Sequence, residues 1–86
     1  KFVALMGLLD KHQCSLENTA FTGNDINDIK CLEKVGLPII VADSHQDIGH
    51  LALYRTNKKG GRGAVREVCD LITKYHQLAK KCKQKI

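Results

Sequence analysis

One run constrains the fold of this chain more than any other. Leu37-Pro38-Ile39-Ile40-Val41-Ala42 has five apolar residues in six. Successive side chains of a strand point to opposite faces, so a continuous apolar run needs cover on both. Parallel sheets with helices packed on each side provide that cover. The neighbouring segments agree. Phe2, Leu5, Met6 and Leu9 recur at helical spacing, which predicts a helix from Phe2 to Lys11 that stops before Cys14. Thr19 to Thr22 reads as a short buried strand terminated by Gly23. Ile26, Ile29, Leu32 and Val35 form the stripe of a second helix, with Gly36 where a C-cap glycine belongs. Ser44-His45-Gln46-Asp47 has the form of a capping box with Asp in place of Glu and predicts a short helix. Leu51 to Arg55 predicts a third strand, and Lys58 to Gly63 a basic, glycine-rich loop. Ala64, Val68, Leu71, Tyr75, Leu78 and Cys82 alternate steps of four and three, the seam of a long amphipathic helix. Helices alternating with strands predict an α/β layer fold on a parallel sheet.

Three strands are few. An open three-stranded sheet with exposed edges makes a poor independent domain. A chain of 86 residues also buries a small share of its surface, and this one opens on Lys1 rather than Met. The expectation is the second half of a doubly wound fold, with residues 1–79 in one domain and 80–86 as a basic tail.

Charge and composition narrow the function. The formal charge is +5, but Lys80, Lys81, Lys83 and Lys85 supply four of the five and leave the body at +1. Nucleic-acid binders spread cations over a face and interleave aromatics for stacking. Two Phe, two Tyr and no Trp do not supply that pattern, so no nucleic-acid partner is expected. No apolar run approaches the roughly 20 residues that span a bilayer, and no signal peptide is recognisable, so no membrane partner is expected. Cys14, Cys31, Cys69 and Cys82 lack the short spacings of zinc or redox motifs. Cys31, Cys69 and Cys82 fall on apolar helical positions and read as small hydrophobes. Reduced thiols point to the cytoplasm.

Two constellations carry chemistry. Asn24, Asp25 and Asp28 lie between the first strand and the second helix. Ligands of open α/β sheets bind beyond the carboxyl ends of the strands. Two carboxylates and an amide offer the oxygen donors that Mg²⁺ prefers. The same residues also suit a plain helix cap, with Asp28 as a first-turn acid, and spacing does not choose between the two. The second constellation is Lys58-Lys59-Gly60-Gly61-Arg62-Gly63, followed by Arg66. Glycine lets the backbone approach an anion, and Arg grips phosphate or carboxylate with paired hydrogen bonds. The residue order of a nucleotide P-loop is missing, and a flexible basic loop is the plainer alternative. His45 and His50 lack the spacing of a catalytic triad. Asp43 reads either as a cleft residue or as a turn former.

Gly23-Asn24-Asp25-Ile26-Asn27-Asp28 resembles the fourth motif of haloacid dehalogenase (HAD) superfamily phosphatases. "CLEKVGLPIIVADSH" and "GGRGAVREVCDLI" look like the C-terminal half of the 3-deoxy-D-manno-octulosonate 8-phosphate phosphatases of that superfamily. They are also similar to the phosphatase-like C-terminal domain of acylneuraminate cytidylyltransferases. The resemblance runs from Lys1 to about Lys74. It implies a HAD-like, Rossmann-like sheet without a large cap domain, and Mg²⁺-dependent hydrolysis of a phosphorylated sugar acid through an aspartyl-phosphate. Lys1 corresponds to the third-motif lysine and Asp28 to the second acid of the fourth motif. The first acid, normally a direct Mg²⁺ ligand, falls on Asn24, with Asp25 as the alternative. Gly61, Arg62, Gly63 and Arg66 are then the candidates for the sugar-acid end of the substrate. The family forms tetramers in which a neighbouring subunit helps close the site. Its nucleophile motif, Asp-x-Asp-x-Thr/Val, occurs nowhere in these 86 residues. Two functions follow from the resemblance. One is the C-terminal half of such a phosphatase, and the other is a non-catalytic assembly domain of an acylneuraminate cytidylyltransferase.

Overall fold

The structure, a computed structural model, describes residues 1–84, with side chains through His76. Helix α1 is Phe2–Lys11, strand β1 Ala20–Gly23, helix α2 Ile29–Lys34, strand β2 Leu37–Ile40, strand β3 Tyr54–Arg55 and helix α3 Ala64–Gln84. Short 3₁₀ turns occupy Leu16–Asn18, Ile26–Asp28 and Gln46–Leu51. The strands form one sheet in the order β1-β2-β3, and both pairs are parallel. Ala20 lies opposite Leu37, Gly23 opposite Ile40, and Ile39 opposite Tyr54. This is the small α/β layer that the apolar run demanded.

The central strand explains why. Ile39 and Ile40 point to opposite faces, yet their exposures are 0% and 1%. On the Ile40 side, Leu32 of α2 and Ile48 complete a fully buried cluster, with Phe21, Ile29, Leu51 and Ala52 packed around it. Burying each such aliphatic side chain is worth about 1.5–3 kcal/mol. Helix α2 packs on β1 and β2, and α1 packs on α2. At the amino edge of the sheet, Leu37, Leu53, Leu71, Ile72 and Tyr75 line an open groove of about 680 Å³ beside α3.

Several boundaries differ from the sequence reading. The second helix is split. Asp28 N–H bonds to Asp25 C=O at 3.0 Å, an i→i+3 bond that tightens residues 26–28 into a 3₁₀ turn. Ile26 therefore leaves the stripe and is exposed, while Ile29, Leu32 and Val35 keep it. Gly36 does not serve as a left-handed cap. Its N–H bonds to Leu16 C=O at 2.8 Å, and an added Cβ would stand only 2.0 Å from the Glu17 carbonyl oxygen. The close approach of two backbones, not a turn conformation, requires glycine there. The third short helix is a 3₁₀ turn capped by His45 rather than Ser44, through Asp47 N–H to Nδ1 at 3.2 Å. Strand β3 shrinks to two residues because Leu51 belongs to that turn.

Along α3 the seam fades. Ala64 and Val68 are buried, Leu71 and Ile72 half-buried, and Tyr75 exposed. Cys69 is exposed rather than packed as a small hydrophobe, and Cys31 is buried as expected. Among the described residues Cys14, Cys31 and Cys69 are free thiols. The side chains of the seam residues Leu78 and Cys82 and of the basic tail 80–86 lie outside what the structure describes. Among the described residues no helix is long and apolar enough to cross a membrane.

Candidate active site

In a parallel sheet every strand ends at the same edge, so the segments after Gly23, Ile40 and Arg55 leave from one side. The first segment is built around Asp28, a carboxylate with 2% exposure. Its Oδ1 accepts a hydrogen bond from Lys1 Nζ at 2.7 Å. Its Oδ2 accepts from Asn24 N–H at 2.9 Å and Asp25 N–H at 3.2 Å. Asp25 Oδ1 in turn accepts from Ile26 N–H at 2.7 Å. These bonds satisfy amides that the turn leaves without partners, the reciprocal logic of a capping box. Asn24 C=O accepts from His45 N–H at 2.9 Å and so ties this loop to the one after β2.

Charge follows geometry. Burial pushes the Asp28 carboxyl up, but the Lys1 hydrogen bond and the two backbone donors outweigh it and hold the group below the ordinary 3.8. The Asp28 hydrogen bond, and then its charge, raise the Lys1 ammonium above 10.5. The pair is ionised throughout the neutral range.

The third segment carries the basic loop. Gly61 and Gly63 have φ of 73° and 104°, backbone that side chains rarely tolerate, with Arg62 between them. Arg62 N–H bonds to Lys59 C=O at 2.9 Å. The buried Thr56 hydroxyl accepts from Ala42 N–H at 3.0 Å and donates to Lys58 C=O at 2.6 Å. Asp43 Oδ1 accepts from Gly60 N–H at 2.8 Å and so fastens the loop, while Asp43 itself sits in the turn that Ser44 N–H closes onto Val41 C=O at 3.1 Å. Arg66 Nε lies 3.2 Å from Asp70 Oδ1, one helical turn onward. A cation near a helix N-terminus faces the unfavourable end of the dipole, and Asp70 supplies the offsetting charge.

The structure brings Lys1, Asn24, Asp25 and Asp28 together and sets Arg62 and its glycines on a separate, anchored loop. Both Asp28 oxygens are engaged. The remaining oxygen donors are the Asn24 amide and the second Asp25 oxygen, on exposed residues. Among the described residues no three His, Cys, Asp or Glu side chains gather as a metal site. A pair of hard oxygen donors still fits Mg²⁺, which keeps most of its shell as water and substrate oxygen. Sequence reasoning missed Glu67, which accepts from Tyr54 Oη at 2.6 Å and from the Asn57 and Lys58 N–H groups at 2.9 Å. A first-turn acid directly after a glycine-rich loop was the available signal.

A family model described as haloacid dehalogenase-like hydrolase matches residues 1–68. The 3-deoxy-D-manno-octulosonate 8-phosphate phosphatase of Salmonella typhi is 49% identical over 72 residues, which are 84% of this chain and 38% of that protein. The crystal structure of the Yersinia pestis phosphatase of the same name superposes with a TM-score of 0.80 at 49% identity, over 83% of this chain and 38% of that one. The Moraxella catarrhalis phosphatase, crystallised with a magnesium ion, a phosphate ion and a KDO molecule, gives a TM-score of 0.81 at 40% identity, over 86% and 42% of the two chains. The chain thus spans about 38% of the length of the curated relatives it matches.

Proposed function

We propose a function from one premise: the chain belongs to the haloacid dehalogenase-like hydrolase family. The function is Mg²⁺-dependent hydrolysis of a phosphate monoester of a sugar acid, of the 3-deoxy-D-manno-octulosonate 8-phosphate kind. This chain forms the C-terminal part of the enzyme that does it. The observation that carries the reading is the Lys1–Asp28 pair at 2.7 Å, at the edge where parallel sheets bind ligands. An ammonium has three N–H donors. Asp28 takes one and keeps the group charged, which leaves two for the oxygens of a transferring phosphoryl group. Asn24 and Asp25 would hold Mg²⁺, which when bound neutralises phosphate charge. Asp28 holds both of their backbone N–H groups in place.

Arg62, with Gly61 and Gly63 giving backbone access, binds the sugar-acid carboxylate, and Arg66 lends charge from the first turn of α3. An aspartyl-phosphate route needs a nucleophilic carboxylate, and the nucleophile motif comes from outside these 86 residues. The assembly is a homotetramer. The test is phosphate release from 3-deoxy-D-manno-octulosonate 8-phosphate by the full-length protein, with and without a chelator. Turnover that needs Mg²⁺ is expected, and the 86-residue chain alone is expected to be inert. Chelator-insensitive turnover, or turnover by the short chain, would refute the scheme.

Asn24 favours a second reading. An amide brings no negative charge to the metal, which suits a domain kept for assembly in an acylneuraminate cytidylyltransferase. The full-length protein would then release no phosphate and would couple CTP to an acylneuraminate.

A further inference from the structure

Glu67 gathers three donors and has no task in the scheme above. Its Oε2 accepts from Tyr54 Oη at 2.6 Å, both of its oxygens accept from Asn57 N–H at 2.9 Å, and Oε1 accepts from Lys58 N–H at 2.9 Å. These partners come from β3 and from the entry of the basic loop. Glu67 itself stands just past the loop's exit, and its own N–H bonds to Gly63 C=O at 3.0 Å. One carboxylate therefore closes residues 57–67 into a ring. A favourable helix dipole would explain an acid in this turn, but it would not aim the carboxylate back at Tyr54 and two loop amides. Inside the ring lie Gly61, Arg62 and Gly63. A glycine-rich segment has much conformational entropy to lose on binding, and pinning both ends removes that cost beforehand.

We propose that Glu67 is a positioning residue for substrate binding: it clamps the entry of the 57–63 loop to the start of α3 and so fixes where Arg62 meets the anionic sugar acid. This rests on the reading of Arg62 as a sugar-acid contact. Glu67 does not touch substrate itself, since its carboxylate is spent on the protein's own donors. The Tyr54 hydroxyl first, then the Asn57 amide, hold its pKa below 4.5, so the clamp is charged at neutral pH.

The test compares Glu67→Gln, Tyr54→Phe and Arg62→Ala in the full-length protein. Gln keeps the size but turns one acceptor into a donor facing backbone N–H groups. Glu67→Gln is expected to speed amide exchange across 57–63 about tenfold, the scale of a lost charged hydrogen bond. It should raise KM for the sugar-acid phosphate about tenfold with kcat within about twofold. KM for p-nitrophenyl phosphate, which has no sugar acid, should stay unchanged. Tyr54→Phe keeps both amide bonds and should raise KM about two- to threefold. If Glu67→Gln does not fold, Tyr54→Phe carries the test through the same exchange rates and the same KM. The proposal is overturned if KM for the sugar acid holds in Glu67→Gln while Arg62→Ala raises it, or if both substrates lose equally. If the unmutated protein turns over neither substrate, the phosphatase reading falls. The clamp then stands on faster loop exchange in Glu67→Gln and falls on unchanged exchange.

Discussion

Two loops leave the same edge of the sheet, and both are held by carboxylates, but over different distances along the chain. In residues 24–28 the anchor is Asp28, which binds amides three and four residues earlier. In residues 57–63 the anchors are Glu67, nine to ten residues from its amide partners, and Asp43, seventeen residues from Gly60. The first loop makes its own frame and spends the frame's buried charge on Lys1. The second is a glycine-rich span with its own backbone bond from Arg62 N–H to Lys59 C=O, and side chains of neighbouring elements hold its two ends. A self-framed loop suits groups that must stand at fixed positions around a phosphoryl group. A loop held at its ends suits contact with the variable remainder of a substrate.

Substitutions can break this comparison. Asp28→Ala in the full-length protein should have the largest effect. It frees Lys1 and unmakes the first loop, and should lower kcat about a hundredfold or more, with about 2 kcal/mol of stability lost. Steady-state kinetics and denaturant unfolding read the two effects, and unchanged turnover would remove Asp28 from the site. Asn24→Asp should act in the opposite direction. A second carboxylate at the lip should tighten Mg²⁺ about tenfold. Equal or weaker binding in a titration would make Asp25 the better ligand.

Acid should loosen both loops. The Asp28 pKa is lowered on folding, so its stabilisation is present above 3.8 and is lost as pH falls through the lower folded value. The lowered pKa of Glu67 gives the same sign below 4.5. Lys1 works the other way. Its pKa is raised, so its contribution is complete below 10.5 and disappears as pH rises through the higher folded value. Acid unfolding followed by circular dichroism should therefore be shallower in Asp28→Asn than in the unmutated protein. A curve of unchanged slope would mean that Asp28 is not the buried charge described above. The smallest effect belongs to Asp43→Ala, which removes one exposed bond from the second loop. KM for the sugar-acid phosphate should rise about two- to threefold with kcat unchanged. A fall in kcat instead would place Asp43 among the reacting groups.

The contrast between the loops also explains what could be read in advance. Asp25 is legible as a cap and Asp28 as a first-turn acid because their backbone partners lie within one turn. The element order was visible because apolar periodicity is local. Glu67 is legible only as a first-turn acid, because its partners depend on β3 arriving beside α3. The partner of Arg66, Asp70, lies four residues on and follows from helical spacing alone. Gly36 fits a cap by local position, whereas its close neighbour is the backbone of Glu17, nineteen positions earlier.

By itself the sequence determined the α/β layering and the buried central strand, since these depend on apolar periods spanning two to four residues. Tertiary structure alone decided that Lys1 reaches Asp28 across 27 positions and that Glu67 and Asp43 hold the glycine-rich loop. A side chain's local preference is set by its neighbours along the chain. Its long-range partner is set by which strand ends and helix starts the packed sheet brings within hydrogen-bonding distance.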